Sequence, residues 1–237
     1  MYFALIQSEA CPVTSKSAIH VTPSEQRVFL LPSVNLEYYA RNGLFESDLI
    51  EWSMQFCKKD RAVLDIGAHT GTYSIALAPH CKEVFAFEPQ KNTYYALCGS
   101  VALSGLSDKI TCVQMGLGSQ DQVGVRTLNI VSPDGGGSTL HLGEHDRALW
   151  TETVQIHTLD SLMLDNIGFV KMDIEGNEMD AIRGGIETLR RSDFPPILLE
   201  VNTGASFERL RDFLRDIVGY RDLVRVSGTQ NMALAIM

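Results

Sequence analysis

Residues 62–89 read AVLDIGAHTGTYSIALAPHCKEVFAFEP, and this stretch decides the fold. Val63-Leu64-Asp65-Ile66 is a short, mostly apolar run before a turn, as expected of a strand buried on both faces. Gly67 and Gly71 bracket the turn, where the chain must bend sharply and let a ligand approach the backbone. Tyr73, Ile75, Ala76 and Leu77 suit a helix that packs on a sheet. Val84-Phe85-Ala86-Phe87 reads as a second strand with Glu88 at its carboxyl end, the edge where open α/β sheets bind ligands.

The spacing discriminates between cofactors. Glu88 follows Gly67 by 21 residues, which places a carboxylate beside the turn, facing a ribose. Such a carboxylate accepts hydrogen bonds from both ribose hydroxyls, each contributing roughly 1.5–3 kcal/mol. A dinucleotide site wants G-x-G-x-x-G, its middle glycine making room for pyrophosphate. The turn here is Gly67-Ala68-His69-Thr70-Gly71, and His69 would crowd that group. Asp65 adds a negative charge, which suits a cation better than a phosphate. A sulfonium nucleoside such as S-adenosylmethionine, with no phosphate, meets both conditions.

Outward from this unit, the remaining elements extend the same sheet. Asn92 is expected to cap a helix running to Ser104 and stopped by Gly105, and Ile110 to Met115 to form the next strand. Phe169 to Met172 is a strand ending in Asp173-Ile174-Glu175-Gly176, followed by a helix over 178–191 weakened at Gly184-Gly185. Pro195 to Asn202 is another strand, and Phe207, Leu210, Phe213, Leu214 and Ile217 recur at helical spacing before Gly219. Leu223–Val226 and Met232–Ile236 are joined by so short a link that they must pair antiparallel. The sum is a mostly parallel sheet with helices on both faces, closed by an antiparallel hairpin.

Ahead of it, residues 1–42 read as an extension with a hairpin, Ala18–Val21 and Val28–Leu31 flanking Thr22-Pro23-Ser24-Glu25. Glu46 to Phe56 predicts a helix capping one edge of the sheet. Thr153–His157 reads as a strand and Leu159–Leu162 as the start of a short helix. Residues 119–150 read as irregular, with Gly135-Gly136-Gly137 at their centre, a loop placed to act as a lid.

At 237 residues the chain fits one large domain with a modest extension. A net charge of −9 disfavours nucleic acid and anionic membranes as partners. Five scattered cysteines without a C-x-x-C pair argue against a disulfide framework and for a reducing, cytoplasmic setting. No signal peptide and no membrane span is expected.

VLDIGAHTGTYS, FAFEP, KMDIEGNE and the late LLEVN, with Gly43-Leu44-Phe45-Glu46 before and HTLDSL between them, together resemble the FkbM-type S-adenosylmethionine-dependent methyltransferases from Gly43 onward. The resemblance implies a Rossmann-like class I methyltransferase fold over 43–237, with a seven-stranded sheet whose last strand is antiparallel. It implies methyl transfer from S-adenosylmethionine, usually to oxygen of a sugar or natural product. Carried over by position, Asp65, Gly67, Ala68, His69 and Gly71 form the cofactor loop, Glu88 with Pro89 holds the ribose, and Glu46 lies near the methionine amine. Gly116 and Leu117 fall at the adenine, where other methyltransferases often carry an acid, so adenine recognition passes to backbone groups. Asp173 sits where donor meets acceptor.

For the acceptor, Asp173 is the first choice of orienting or basic residue, Glu200 the next, and His141 a lid residue able to act as base. A second reading takes His141-Leu142-Gly143-Glu144-His145 as an H-x-x-E-H zinc hydrolase motif, although Gly143 opposes the helix it needs. A third is a nucleoside-binding domain without turnover. No metal site is assigned; two of the acids Asp173, Glu175 and Glu200, with Asn202, could instead hold a divalent cation through oxygen ligands, and whether one is needed is not legible in the chain. The acceptor's identity and the oligomeric state are not legible in the chain.

Overall fold

The computed structural model describes residues 3–5, 17–22, 27–143, 147–201, 204–229 and 231–237. Its centre is a seven-stranded sheet built from β4 (Ala62–Ile66), β5 (Val84–Phe87), β6 (Ile110–Val113), β10 (Ile167–Met172), β11 (Ile197–Glu200), β12 (Asp222–Arg225) and β13 (Met232–Ile236). The spatial order is β12-β13-β11-β10-β4-β5-β6. β4, β5, β6, β10 and β11 pair in parallel, and β13 runs antiparallel to both its neighbours, as the short final link required. The order reverses direction beside β4, which leaves a crevice at the carboxyl ends of β4 and β10.

Side chains alternate along each strand and feed two apolar cores. Val63, Ala86, Phe169 and Leu198 join one core, together with Ile75 and Leu77 of α3 (Thr72–Leu77) and Leu97 and Val101 of α4 (Lys91–Leu103). Leu64, Ile66, Val170, Met172, Ile197 and Leu199 join the other, with α5 (Glu178–Arg183), α6 (Ile186–Arg191) and α7 (Gly204–Phe213). Every residue of β4 and β10 is buried, which is why these segments read as nearly unbroken apolar runs.

Two strands of the N-terminal segment pair at the places the sequence suggests. β2 (Ser17–Thr22) pairs antiparallel with β3 (Arg27–Pro32), and β1 (Phe3–Leu5) adds a third strand. The turn, 23–26, lies outside the described residues. β3 docks on α4, with the Val28 and Leu30 amides donating to Ser104 Oγ and Ser100 Oγ. α1 (Leu36–Asn42) then leads into α2 (Ser47–Ser53).

Four sequence expectations change. The 46–56 helix covers a face of the sheet and not an edge: Phe56 stacks on Phe169 of the central strand β10 at 5.6 Å between ring centroids. α4 begins at Lys91 with Gln90 at its cap position, so Asn92 is inside the first turn. The 178–191 helix divides into α5 and α6 at the two glycines. Residues 119–150 are not irregular throughout. β8 (Gly124–Ile130) pairs with β9 (Trp150–His157), and with β7 (Gly116–Leu117) they form a second sheet, order β7-β9-β8. Only Leu128 and Ile130 of β8 are buried, so the strand carries two inward apolar side chains, a weak signal.

Candidate active site

A cavity of about 330 Å³ opens at the carboxyl ends of β4, β5 and β10, within the usual range for small-molecule sites. Its floor is the turn Gly67–Thr70, its far end Phe87, Glu88 and Pro89, and its near end Asp173, Ile174 and Glu175. Met115, Gly116, Leu117, Leu128, Val154 and Ile156 make an apolar slot on one side. Asn35, Tyr39, Phe45 and Glu46 close it from the N-terminal segment, and Asp134 to Ser138 from above.

Glu88 is 7 % exposed and held by two backbone donors: His69 N–H gives 2.9 Å to Oε2 and Gln90 N–H 2.9 Å to Oε1. These bonds orient the carboxylate on the cavity wall. Burial pushes its pKa up to about 7, against the pull of the Gln90 and His69 amides and of Lys171.

The glycines of the turn are set by close approach. Gly67 has φ +79°, and a Cβ there would collide with the Asp173 carbonyl oxygen. Gly71 has φ +92° and lies against Leu97. His69, Glu46 and Glu175 are not glycine, yet they also hold left-handed φ of 50°, 56° and 55°, and all three line the cavity. Such conformations cost about 1 kcal/mol or more each and cluster where function demands them.

His69 Nε2 lies 2.9 Å from the Asp134 carbonyl oxygen, which can only accept, so Nε2 carries the proton. Burial lowers the pKa of the ring, which is neutral. Asn35 Nδ2 donates to Asp134 Oδ2 at 2.6 Å. The glycine run is therefore tied down as a roof, at one point to the Gly67–Thr70 turn and at another to the N-terminal segment. Tyr73 donates to Glu46 Oε2 at 3.0 Å.

Of the residues singled out in the sequence, Glu46, Gly67, Ala68, His69, Glu88, Pro89, Gly116, Leu117 and Asp173 line the cavity. Gly71 supports the turn from behind it. Asp65 does not reach it. Strand alternation turns Asp65 to the Val63 face, where it is fully buried beneath α3 and accepts from Ser74 Oγ at 2.5 Å. Glu200 also stands behind the wall: carboxylate oxygens of Asp173, Glu175 and Glu200 lie within 4.8 Å of one another, and Asn231 donates to Glu200 Oε1. Burial first, then the Asp173 and Glu175 charges, push Glu200 up to about 8. His141 is exposed and outside the cavity, its Nε2 3.2 Å from Asn177 Oδ1. Residues 141–143 form no helix, and Glu144 and His145 lie outside the described residues, so no zinc-binding helix face is present in the part described.

Sequence reasoning passed over Lys171, Tyr73, Asn35 and Asp134. Lys171 had a signal: a lysine inside an apolar strand is buried only when paired.

Solved structures share this Rossmann-like architecture. A methyltransferase FkbM from Methylobacillus flagellatus superposes with TM-score 0.54 at 18% identity over 75% of this chain. The chain spans 44% of that protein's length. A precorrin-6y C5,15-methyltransferase from Geobacter metallireducens gives 0.52 at 14% identity, covering 82% of this chain and 89% of the other. The model of the methyltransferase FkbM domain matches residues 65–221, well over half the chain, and the protein belongs to that family. A curated relative, the hexuronic acid methyltransferase AglP of Haloferax volcanii, is 24% identical over 179 residues, 74% of this chain and 70% of its own. The protein is a methyltransferase. Among the described residues no helix is long and apolar enough to cross a membrane.

Proposed function

We propose that the protein transfers a methyl group from S-adenosylmethionine to a hydroxyl of an uncharged small molecule, a sugar or a natural product. The observation that carries this reading is Glu88, a buried carboxylate oriented by two amides on the wall of a strand-end cavity. Its free lone pairs suit the two ribose hydroxyls. The apolar slot of Leu117, Leu128, Val154 and Ile156 suits the adenine, and the Gly67 turn with Glu46 the methionine end.

Bound there, the cofactor supplies an activated methyl on a sulfonium. What remains for the protein is alignment and the exclusion of water, which the Asp134–Ser138 roof favours. Asp173, at the donor–acceptor junction, accepts the proton of the acceptor hydroxyl, a role worth typically 10²–10⁴-fold. Glu175 and Glu200 stand beside it.

The lining disfavours an anionic acceptor. Among the described residues its carboxylates are Glu46, Glu88, Asp134, Asp173 and Glu175, against Lys171, already paired, and a neutral His69. A panel of matched neutral hexoses, hexuronates and polyketide alcohols, read by mass spectrometry for the added methyl, tests the assignment. The neutral acceptor is expected to exceed its uronate by at least tenfold in kcat/KM, about 1.4 kcal/mol. Asp173→Asn is expected to lower its turnover ~10²–10⁴-fold. A preference for the uronate would overturn the acceptor reading. Cofactor binding with no turnover on any acceptor would favour the non-catalytic domain.

A further inference from the structure

Lys171 is the one charged residue of β10, and its side chain is 6% exposed. Strand alternation puts it on the same face as Phe169, and the parallel register sets it directly opposite Asp65 of β4. Its ammonium stands at the meeting point of three elements. Nζ donates to the Gly67 carbonyl at 3.1 Å, lies 3.6 Å from Asp173 Oδ2 and 3.9 Å from Asp65 Oδ1, and sits 5.1 Å above the Tyr73 ring of α3. The site as read so far gives this group no task.

We propose that Lys171 is a positioning residue for cofactor binding: its ammonium ties the Gly67 turn to the end of β10 and is the shared counter-charge of the carboxylates at the cavity. The proposal rests on the cofactor reading above.

The charge balance supports it. The carboxylates with the largest effect on Lys171 are Asp173, Asp65, Glu46 and Glu88, drawn from the end of β10, β4, the entry to α2 and the end of β5, and Glu175 beyond β10 also feels its charge. Tyr73 of α3 and the neutral His69 of the turn complete its surroundings. Burial alone would lower the lysine's pKa, but these four acids outweigh it and hold the group charged. In return Lys171 opposes the effect of burial on Asp65 and on Glu88. Glu88 is the sensitive member. It binds ribose hydroxyls as an acceptor, and at about 7 it already stands at the edge of protonation. Without the ammonium, only the Gln90 and His69 amides still oppose desolvation and the Asp65 charge.

The test is the affinity for S-adenosylhomocysteine, measured by calorimetry from pH 6 to pH 9. In the wild-type protein binding weakens as the pH falls through about 7, because Glu88 takes up a proton. Lys171→Gln removes the charge and keeps a donor for the Gly67 carbonyl. This variant is expected to lose affinity about tenfold at pH 7 and to recover it by pH 9, its midpoint moved up by at least one pH unit, about 1.4 kcal/mol of lost interaction with the carboxylate. Lys171→Arg is expected to keep the wild-type midpoint, and Lys171→Met reports the same shift should the glutamine variant misfold. A Lys171→Gln or Lys171→Met profile with an unchanged midpoint, however weak the binding, overturns the proposal. A wild-type protein that binds no S-adenosylhomocysteine at any pH overturns the cofactor reading and the proposal with it.

Discussion

Replacing Glu88 by alanine is expected to weaken S-adenosylhomocysteine binding about 100-fold, a loss of about 2.7 kcal/mol, while leaving the fold nearly as stable. The size follows from what the carboxylate does. Two hydrogen bonds to a charged acceptor contribute roughly 1.5–3 kcal/mol each, and water at the edge of an open cavity replaces part of that. Stability hardly moves because two effects oppose each other. Truncation leaves the His69 and Gln90 amides without their partner, but it also removes a carboxylate that burial disfavours. Calorimetry and a thermal melt on the same sample separate these terms. An affinity change below threefold would mean that Glu88 does not hold the nucleoside.

Gly67→Ala is expected to do the opposite and damage fold and site together. The position combines φ +79° with a backbone neighbour, the Asp173 carbonyl, that cannot swing aside. The left-handed conformation costs an alanine about 1–2 kcal/mol. Forcing β4 and β10 apart at their carboxyl ends costs about 1–3 kcal/mol more. The sum, about 2–5 kcal/mol, lowers the melting temperature by roughly 5–20 °C in a protein of this size. The same displacement moves the turn away from Glu88 and breaks the Lys171 bond to the Gly67 carbonyl, so binding falls at least tenfold. A melting temperature within 2 °C of wild type would show that the turn and β10 are not packed as described.

The fold was legible wherever burial is two-sided. Ala62–Ile66 and Ile167–Met172 have no solvent face, so their apolar runs announce central strands, and the short link at 227–231 settles the antiparallel end. Legibility failed where a strand buries little: Val125 and Thr127 of β8 point outward and only Leu128 and Ile130 pack. With β8 went the apolar slot, because Leu128 and its partners on β9 form it. In the site, the glycine turn could be read because positive φ and close approach dictate its glycines, and Glu88 because it follows β5 at the carboxyl edge of the sheet. Asp65 falls elsewhere because its charge beside the turn and the family resemblance were weighed and its strand parity was not. Counting by two from Val63 puts it beneath α3. The same parity, applied to Phe169 and Lys171, would have paired the two charges. Asp134 and Asn35 lie 99 residues apart and meet through a single hydrogen bond, a contact no local pattern encodes.

In the proposed function, the cavity over the Gly67 turn takes a sulfonium nucleoside with its ribose on Glu88. Titration of the wild-type protein with S-adenosylhomocysteine at pH 8, where Glu88 is ionised, tests it most directly. Saturable binding of one ligand per chain is expected, with a dissociation constant on the order of micromolar, about −8 kcal/mol. No detectable binding at millimolar ligand would contradict it.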